Sequence, residues 1–486
     1  MSAEDAGSRA ARNTFSRAAA ELIGKFASLI LFAVLARKVG QHSLGAFVFA
    51  FAFLQIALVP VDLGYDRWLV RRLSEDREAA GPVLVEVLGL KLVSAVPIGV
   101  LALVALHALG YGAQARETVY ALAAGMLFDS FGRSLFSIFT VYERSDLLGI
   151  ALVSQRLATA GLGLAALFAG YGVVTVAAAY SAGAGVGLVL AAVLLLRLVP
   201  FTKSRPRPRE WSAMLREAAP FGVQDVFSVA LFRLDALILS LMSTQTALGR
   251  YGAAYRAFEA TFFVSISLAG AFLAMYTYLG PTTTPTVQSV FQRSMKACIA
   301  SLMPITIVFA VLAAPVSRAL FGANVHATTD LRLLAPCVVS LGIVTLSVAL
   351  YVSRRPPRPM VWVTGAMALL NVVLNLVLIP SLDDRGAAIA MTATEIAYAV
   401  VALIAAARVL GGINWVSTLA GPAVGSLAMV LPALAFDDSL LLGVASSVPV
   451  YVLALLAVER VTSPDDLAFA GGLVRRWLRL TPNAAA

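Results

Sequence analysis

The sequence predicts an all-α, polytopic membrane protein with about fourteen transmembrane helices. Three observations carry that prediction. Of the 486 residues, 60% are hydrophobic, only 13% are charged, and the apolar residues fall in runs long enough to cross a bilayer. A soluble domain of this size is usually about 45–50% apolar and about 25% charged. The excess extends along the whole chain, which leaves no stretch for a separate soluble domain.

A bilayer core is ~30 Å thick, so a crossing helix needs ~20 mostly apolar residues. Runs of that kind lie near 17–37, 43–63, 83–109, 118–141, 148–169, 173–197, 219–242, 252–279, 294–314, 333–352, 359–380, 387–409, 416–436 and 439–459. The polar stretch Met1 to Ala20 leads into a first run too long for a cleavable signal peptide. With both termini on the cytoplasmic side of the inner membrane, about 24 Lys and Arg flank the inner ends of the spans and about 7 the outer ends, as the positive-inside rule requires. A wrong span count would scramble that alternation. The net charge of +10 is therefore a feature of membrane topology, and no nucleic-acid module accompanies it.

The longest connection is basic and proline-rich, with KSRPRPRE at its centre, and reads as an extended strap between two lobes. This gives an N-terminal lobe at 1–199, a cytoplasmic linker at 200–218, a C-terminal lobe at 219–410, an extra helix pair at 411–461 and an amphipathic tail at 462–486. The lobes, six helices each, would surround a central cavity. They also share a short repeat. Leu44-Gly45-Ala46-Phe47 and Ala50 recur as Leu248-Gly249-Arg250-Tyr251 and Ala254, about 204 residues later, as in a transporter built from internal repeats.

Ionisable residues fall inside the spans: Glu21, Lys25, Glu86, Lys91, Asp129, Arg133, Arg156, Arg233, Asp235, Arg256, Glu259 and Glu395. One such charge facing lipid costs ~3 kcal/mol, so together they would exceed the ~5–15 kcal/mol by which proteins are stable. They must face one another or water. Glu21/Lys25 and Asp129/Arg133 are spaced i,i+4 and Arg256/Glu259 i,i+3, so each pair shares a helix face and admits a structural or a functional role. Arg233 and Asp235 point to different sides of their helix, and Arg156 and Glu395 have no local partner. These four are the leading functional candidates. Arginine would grip phosphate oxygens bidentately, and a carboxylate in a poorly solvated cavity would take a proton or sodium. Asn371 and Asn375 share a face that would bond a neighbouring helix, and Gly183, Gly185 and Gly187 form a close-packing face. Cys298 and Cys337 lie in apolar runs and read as core residues. No metal site or cofactor is expected.

Four stretches carry a resemblance: LARKVGQHSLGAFVFAFA through DLGYDRWLVRRL, RLDALILSLMSTQTALGRYGAAYRAFE, LFGANVHATTDLRLLAP and LLNVVLNLVLIPSLDDRGAAIAMTATE. Together they resemble the polysaccharide flippase family of the multidrug/oligosaccharidyl-lipid/polysaccharide (MOP) exporter superfamily, over residues 12 to 410. The resemblance implies two six-helix lobes and a cavity open alternately to either side. It also implies transfer of a polyprenyl-diphosphate-linked oligosaccharide from the inner to the outer leaflet, driven by an ion gradient, in partnership with polysaccharide-assembly proteins. On that pattern Arg233 and Arg256 would meet the diphosphate and Tyr251 and Tyr255 the sugar faces, and the intramembrane charges Arg156 and Lys91 would join the diphosphate contacts. Asp235, Glu395, Asp129 and Glu21 would handle a coupling proton or sodium. The rivals are a drug exporter of the same superfamily, which would want an acidic cavity without free arginines, and a membrane glycosyltransferase or polymerase. The latter is disfavoured by short outer loops and only three histidines, His42, His107 and His326.

Overall fold

The computed structural model describes residues 3–199, 206–279 and 284–464, and side chains from Leu22 onward within those limits, except at 274, 284 and 285. Every regular element among them is helical. In order these are α1 (Ala3–Asp62), α2 (Tyr65–Glu75), a 3-10 turn (Arg77–Ala79), α3 (Ala80–Ala108), α4 (Ala113–Val141), α5 (Ser145–Phe168), α6 (Val173–Leu198) and α7 (Pro208–Met242). Then come α8 (Gln245–Tyr278), α9 (Thr284–Val311), α10 (Ala313–Phe321), α11 (Thr328–Arg354), α12 (Arg358–Leu410), α13 (Trp415–Ala435) and α14 (Leu440–Thr462).

Two of these helices are double spans. Gly40 breaks α1 at φ 72°, ψ 172°, a conformation that costs a glycine little because it has no Cβ. Asp383 breaks α12 at φ 51°, and aspartate is one of the few other residues enriched at positive φ. Its carboxylate accepts a hydrogen bond from the Ser243 hydroxyl at 2.9 Å. Helices α2 and α10, of 11 and 9 residues, are too short to cross. Ten described helices meet both length and apolarity for a span. Helices α4 and α7 have the length but carry charge, for reasons given below. The chain is thus an all-helical, multi-pass membrane protein.

The expected linker is shorter than the sequence suggested. Pro208 sits in the first turn of α7, where its missing N–H is no loss, so 208–218 is helix rather than strap. Glu86 explains the anchoring: its carboxylate accepts from the Arg207 backbone N–H at 2.7 Å and from Trp211 Nε1 at 2.7 Å. The amphipathic tail from Asp465 onward and the linker positions 200–205 lie outside the described residues.

The chain packs as two compact units. One comprises Met1–Ala260, Leu320–Ala327 and Val361–Thr394, the other Thr261–Ala319, Thr328–Met360 and Glu395–Ala486. They are interleaved along the chain, whereas the division expected from span order is sequential. In the first unit, Gly183 and Gly187 of α6 lie against Thr159 and Gln155 of α5, and Gly185 against Phe128 of α4, so the glycine series is a packing face. Helix α2 buries Tyr65, Trp68, Leu69 and Leu73 in a cluster with Leu84, Val87, Ile138 and Phe139. Asn375 donates to the Asn371 side-chain and backbone oxygens at 2.9 and 2.8 Å. The Asn371 amide in turn reaches Met391 Sδ at 3.9 Å, beyond the break at Asp383, so the pair bonds along its own segment and contacts the next one.

In the second unit, α13 and α14 pack together and onto α9. Lys296 of α9 reaches Glu459 of α14 at 2.8 Å, and the Tyr451 hydroxyl donates to the Ala300 carbonyl at 2.8 Å. Gly421 and Gly425 of α13 leave room for Glu459 and Tyr451. Both cysteines are buried here.

Candidate functional site

The site begins at the repeat. Gly45 of α1 and Gly249 of α8 are repeat equivalents, and so are Gln41 and Gln245, one helical turn before each. A Cβ on Gly45 would overlap the backbone carbonyl of Gln245, and a Cβ on Gly249 would overlap that of Gln41. Each half therefore makes the same backbone contact to the other, a twofold arrangement. The side-chain oxygens of both glutamines are buried there without a partner. Further along, Gly64 lies against the Phe221–Gly222 backbone and Gly222 against the Leu63 carbonyl. Arg67 pairs with Asp225, and Trp68 Nε1 donates to Glu217 at 3.1 Å. The second segment of α1 is thus held close to α8 at one end and to α7 at the other.

Between these approaches is a pocket enclosing about 810 Å³ of empty space, its open mouth included. Its walls follow the repeat. Leu31, Phe47, Val48, Phe51 and Ala52 line it from α1, and their equivalents Asp235, Tyr251, Gly252, Tyr255 and Arg256 line it from α7 and α8. The symmetry of the scaffold is not carried into the chemistry, because one wall is apolar and the other polar.

Three arginines and two acids face this space. Arg233 donates to Glu259 Oε1 at 2.7 Å and Arg256 to Glu259 Oε2 at 2.6 Å, so one carboxylate bridges two guanidinium groups. Aromatic faces hold the same cations: Arg233 lies 5.5 Å from the Tyr255 ring and 5.9 Å from Phe51, and Arg256 lies 5.5 Å from Phe32. Asp235 accepts from the Tyr251 hydroxyl and from the Ala236 N–H at 2.6 Å. Arg156 of α5 lines the pocket with its stem over Gly24, and among the described residues it has no hydrogen bond or ion pair. Counted by formal charge, the pocket is positive and its surplus cation is Arg156.

The structure therefore gathers Arg156, Arg233, Arg256, Tyr251, Tyr255 and Asp235 into one place. It leaves the remaining candidates elsewhere. Lys91 is fully buried outside the pocket, and its ammonium lies 3.0 Å from Asp62, 3.1 Å from Asp66 and 2.9 Å from the Ser130 carbonyl. A cation committed to three acceptors has no donor to offer a cargo. Asp129 and Arg133 do not pair with each other. Asp129 accepts from Gln155 and Tyr180, while Arg133 takes Asp62 and lies 3.5 Å from Asp66, because neighbouring helices offer both groups better-placed partners. Glu395 is buried in the other unit, with both oxygens unpartnered. The Glu21 side chain lies outside the described residues.

Sequence reasoning missed Asp62 and Asp66, although their i,i+4 spacing at a span end, with a lysine inside the next span, is the available signal. It also treated Glu259 as a local partner of Arg256 and overlooked its second arginine.

Comparison with known proteins agrees with this architecture. Residues 10–273, more than half of the chain, match the family model described as polysaccharide biosynthesis protein. No curated protein sequence matches the chain. Among solved structures, the lipid II flippase MurJ in an inward-closed conformation superposes with a TM-score of 0.74 at 12% identity, covering 91% of this chain and 98% of its own. An inward-facing MATE-family multidrug resistance transporter of the MOP superfamily gives 0.68 at 17% identity, covering 82% and 98%. A MOP-superfamily transporter from Pyrococcus furiosus, described as having a binding pocket of reversed polarity, gives 0.61 at 17% identity, covering 82% and 95%. The chain belongs to the polysaccharide biosynthesis protein family and has the fold of the MOP-superfamily transporters.

Proposed function

We propose that this protein moves a polyprenyl-diphosphate-linked oligosaccharide from the inner to the outer leaflet of the cytoplasmic membrane by alternating access, for assembly of a cell-surface polysaccharide. The observation that carries the reading is Arg156. A guanidinium with no partner among the described residues is open to an anion that enters the pocket, and its planar fork suits a diphosphate. The polar wall with Tyr251 and Tyr255 suits sugar rings, while the apolar wall of Phe47 and Phe51 suits the first isoprene units. Substrate contacts are assigned to Arg156, Arg233, Arg256, Tyr251 and Tyr255. Lys91, held by Asp62, Asp66 and the Ser130 carbonyl, stands outside that set.

For ion coupling, Glu395 is the leading group, since neither of its buried oxygens has a partner and a proton or sodium would satisfy them. Asp235 and Asp129 are already hydrogen-bonded. Both termini are placed in the cytoplasm on the arginine distribution, with assembly proteins as partners.

Extraction of lipids from a deletion strain, with the two leaflets distinguished by enzyme accessibility, tests the reading. Accumulation of a polyprenyl-diphosphate oligosaccharide on the cytoplasmic side supports it and names the glycan. Retention of cationic dyes with no such lipid would replace it with a drug exporter, as would full transport by Arg156→Ala at wild-type abundance.

A further inference from the structure

Glu259 occupies the position that a bound diphosphate would want. Its carboxylate spans two guanidinium groups, one oxygen to each, with contacts of 2.7 and 2.6 Å. A carboxylate and a phosphate present the same donor-accepting edge to an arginine fork. The side chains of Glu259, Arg233 and Arg256 are 17%, 18% and 27% exposed, so the trio faces the pocket rather than the core.

We infer that Glu259 is an exchangeable counter-anion, which holds Arg233 and Arg256 while the pocket is empty, yields them to an arriving diphosphate and reclaims them on release. Three observations support it beyond the ion pairs. The arginines have neighbours besides Glu259, because Tyr255 and Phe51 flank one and Phe32 lies under the other. Those rings would keep the donor edges near the pocket when the carboxylate leaves. Arg156 lines the same pocket with no competing acid, so a first phosphate contact needs no displacement. Finally, Glu259 lies three residues beyond Arg256 on one helix face, so after yielding both guanidinium groups it stays near them and can re-form both contacts by side-chain rotation alone.

A built-in competitor weakens binding and speeds release. Removing it should therefore move affinity and turnover in opposite directions. Loss of a mere structural brace would lower both. The inference rests on the diphosphate reading above, and the experiment separates the two. Purified wild-type protein and the Glu259→Gln, Glu259→Asp and Arg156→Ala variants would be titrated with inorganic pyrophosphate, and turnover followed with a fluorescent short-chain polyprenyl diphosphate in vesicles.

Glu259→Gln should bind pyrophosphate roughly tenfold more tightly, the equivalent of one charge-assisted bond no longer in competition, and turn over more slowly. Glu259→Asp, one methylene too short to bridge both arginines, should lie between it and wild type, and serves alone if the glutamine variant does not fold. Wild-type binding lost in Arg156→Ala but unchanged or weakened in both Glu259 variants would overturn the inference and leave the diphosphate reading standing. No binding to any form would overturn both.

Discussion

Replacing Lys91 by methionine tests whether the buried charge cluster is structural. Methionine fills a similar volume but cannot donate. The ammonium has no exposed surface and serves Asp62, Asp66 and the Ser130 carbonyl. Its loss would leave two carboxylates close together, with Arg133 as their nearest remaining cation and Ser130 and Ser134 as neutral donors at 2.5 and 2.8 Å. Breaking a buried pair by removing one partner costs ~3–5 kcal/mol, a large part of the ~5–15 kcal/mol that stabilises a folded chain. Reversible unfolding of the detergent-solubilised protein in sodium dodecyl sulfate, followed by tryptophan fluorescence, would read the loss as a lower midpoint. Adding Asp66→Asn to Lys91→Met should restore most of it, because Asp62 then keeps Arg133 as its partner and no carboxylate is left without a cation. A wild-type midpoint for Lys91→Met together with lost pyrophosphate binding would refute the argument and return Lys91 to the cargo.

Gly249→Ala should prise α8 from α1 at the Gln41 carbonyl, and a cysteine introduced at Val48 should then react with a polar maleimide several-fold faster than in the parent. An unchanged labelling rate would mean that the backbone contact does not close that end. The parent is a clean background, since Cys298 and Cys337 are buried and should label only after unfolding. At the N-terminal end of α5, ahead of the apolar run that begins near residue 148, the Arg144 guanidinium hydrogen-bonds Asp146 of the first turn at 2.8 Å and holds its carboxyl below the ordinary value of 3.8. A depressed carboxylate stabilises the fold above its unfolded value and loses that contribution as pH falls through the folded one. Amide protection at Leu147 and Leu148, which bond the Arg144 carbonyl, should hold down to about pH 4 and fall below it. Asp146→Asn should abolish that dependence.

Span order and number were legible because the bilayer imposes one length and one polarity on every crossing helix. The breaks at Gly40 and Asp383 were legible only as loop positions, since whether a chain turns through a loop or a single kinked residue is set by tertiary contacts. Site residues fared according to range. Arg256 and Glu259 are close in sequence, and periodicity found their pairing. Arg233 meets Glu259 across two helices, and Lys91 meets Asp62 and Asp66 from another, so no helical spacing contains either. The same limit made Asp129 and Arg133 look like partners. Local geometry permits that pair, and Tyr180, Gln155 and Asp62 outcompete it.

The face-to-face glycines also bear on how such a pocket arises. Contacts in which residue 45 meets 245 while 249 meets 41 have the reciprocity of a two-subunit interface, here made within one chain. A homodimer must write every substitution on both walls at once. A single chain carries no such constraint, so Leu31 and Asp235, or Ala52 and Arg256, differ on a shared frame. Two identical subunits could offer a cargo only two like surfaces. This chain offers an oily one and an ionic one, and a molecule with a tail and a charged head then has a single way to sit.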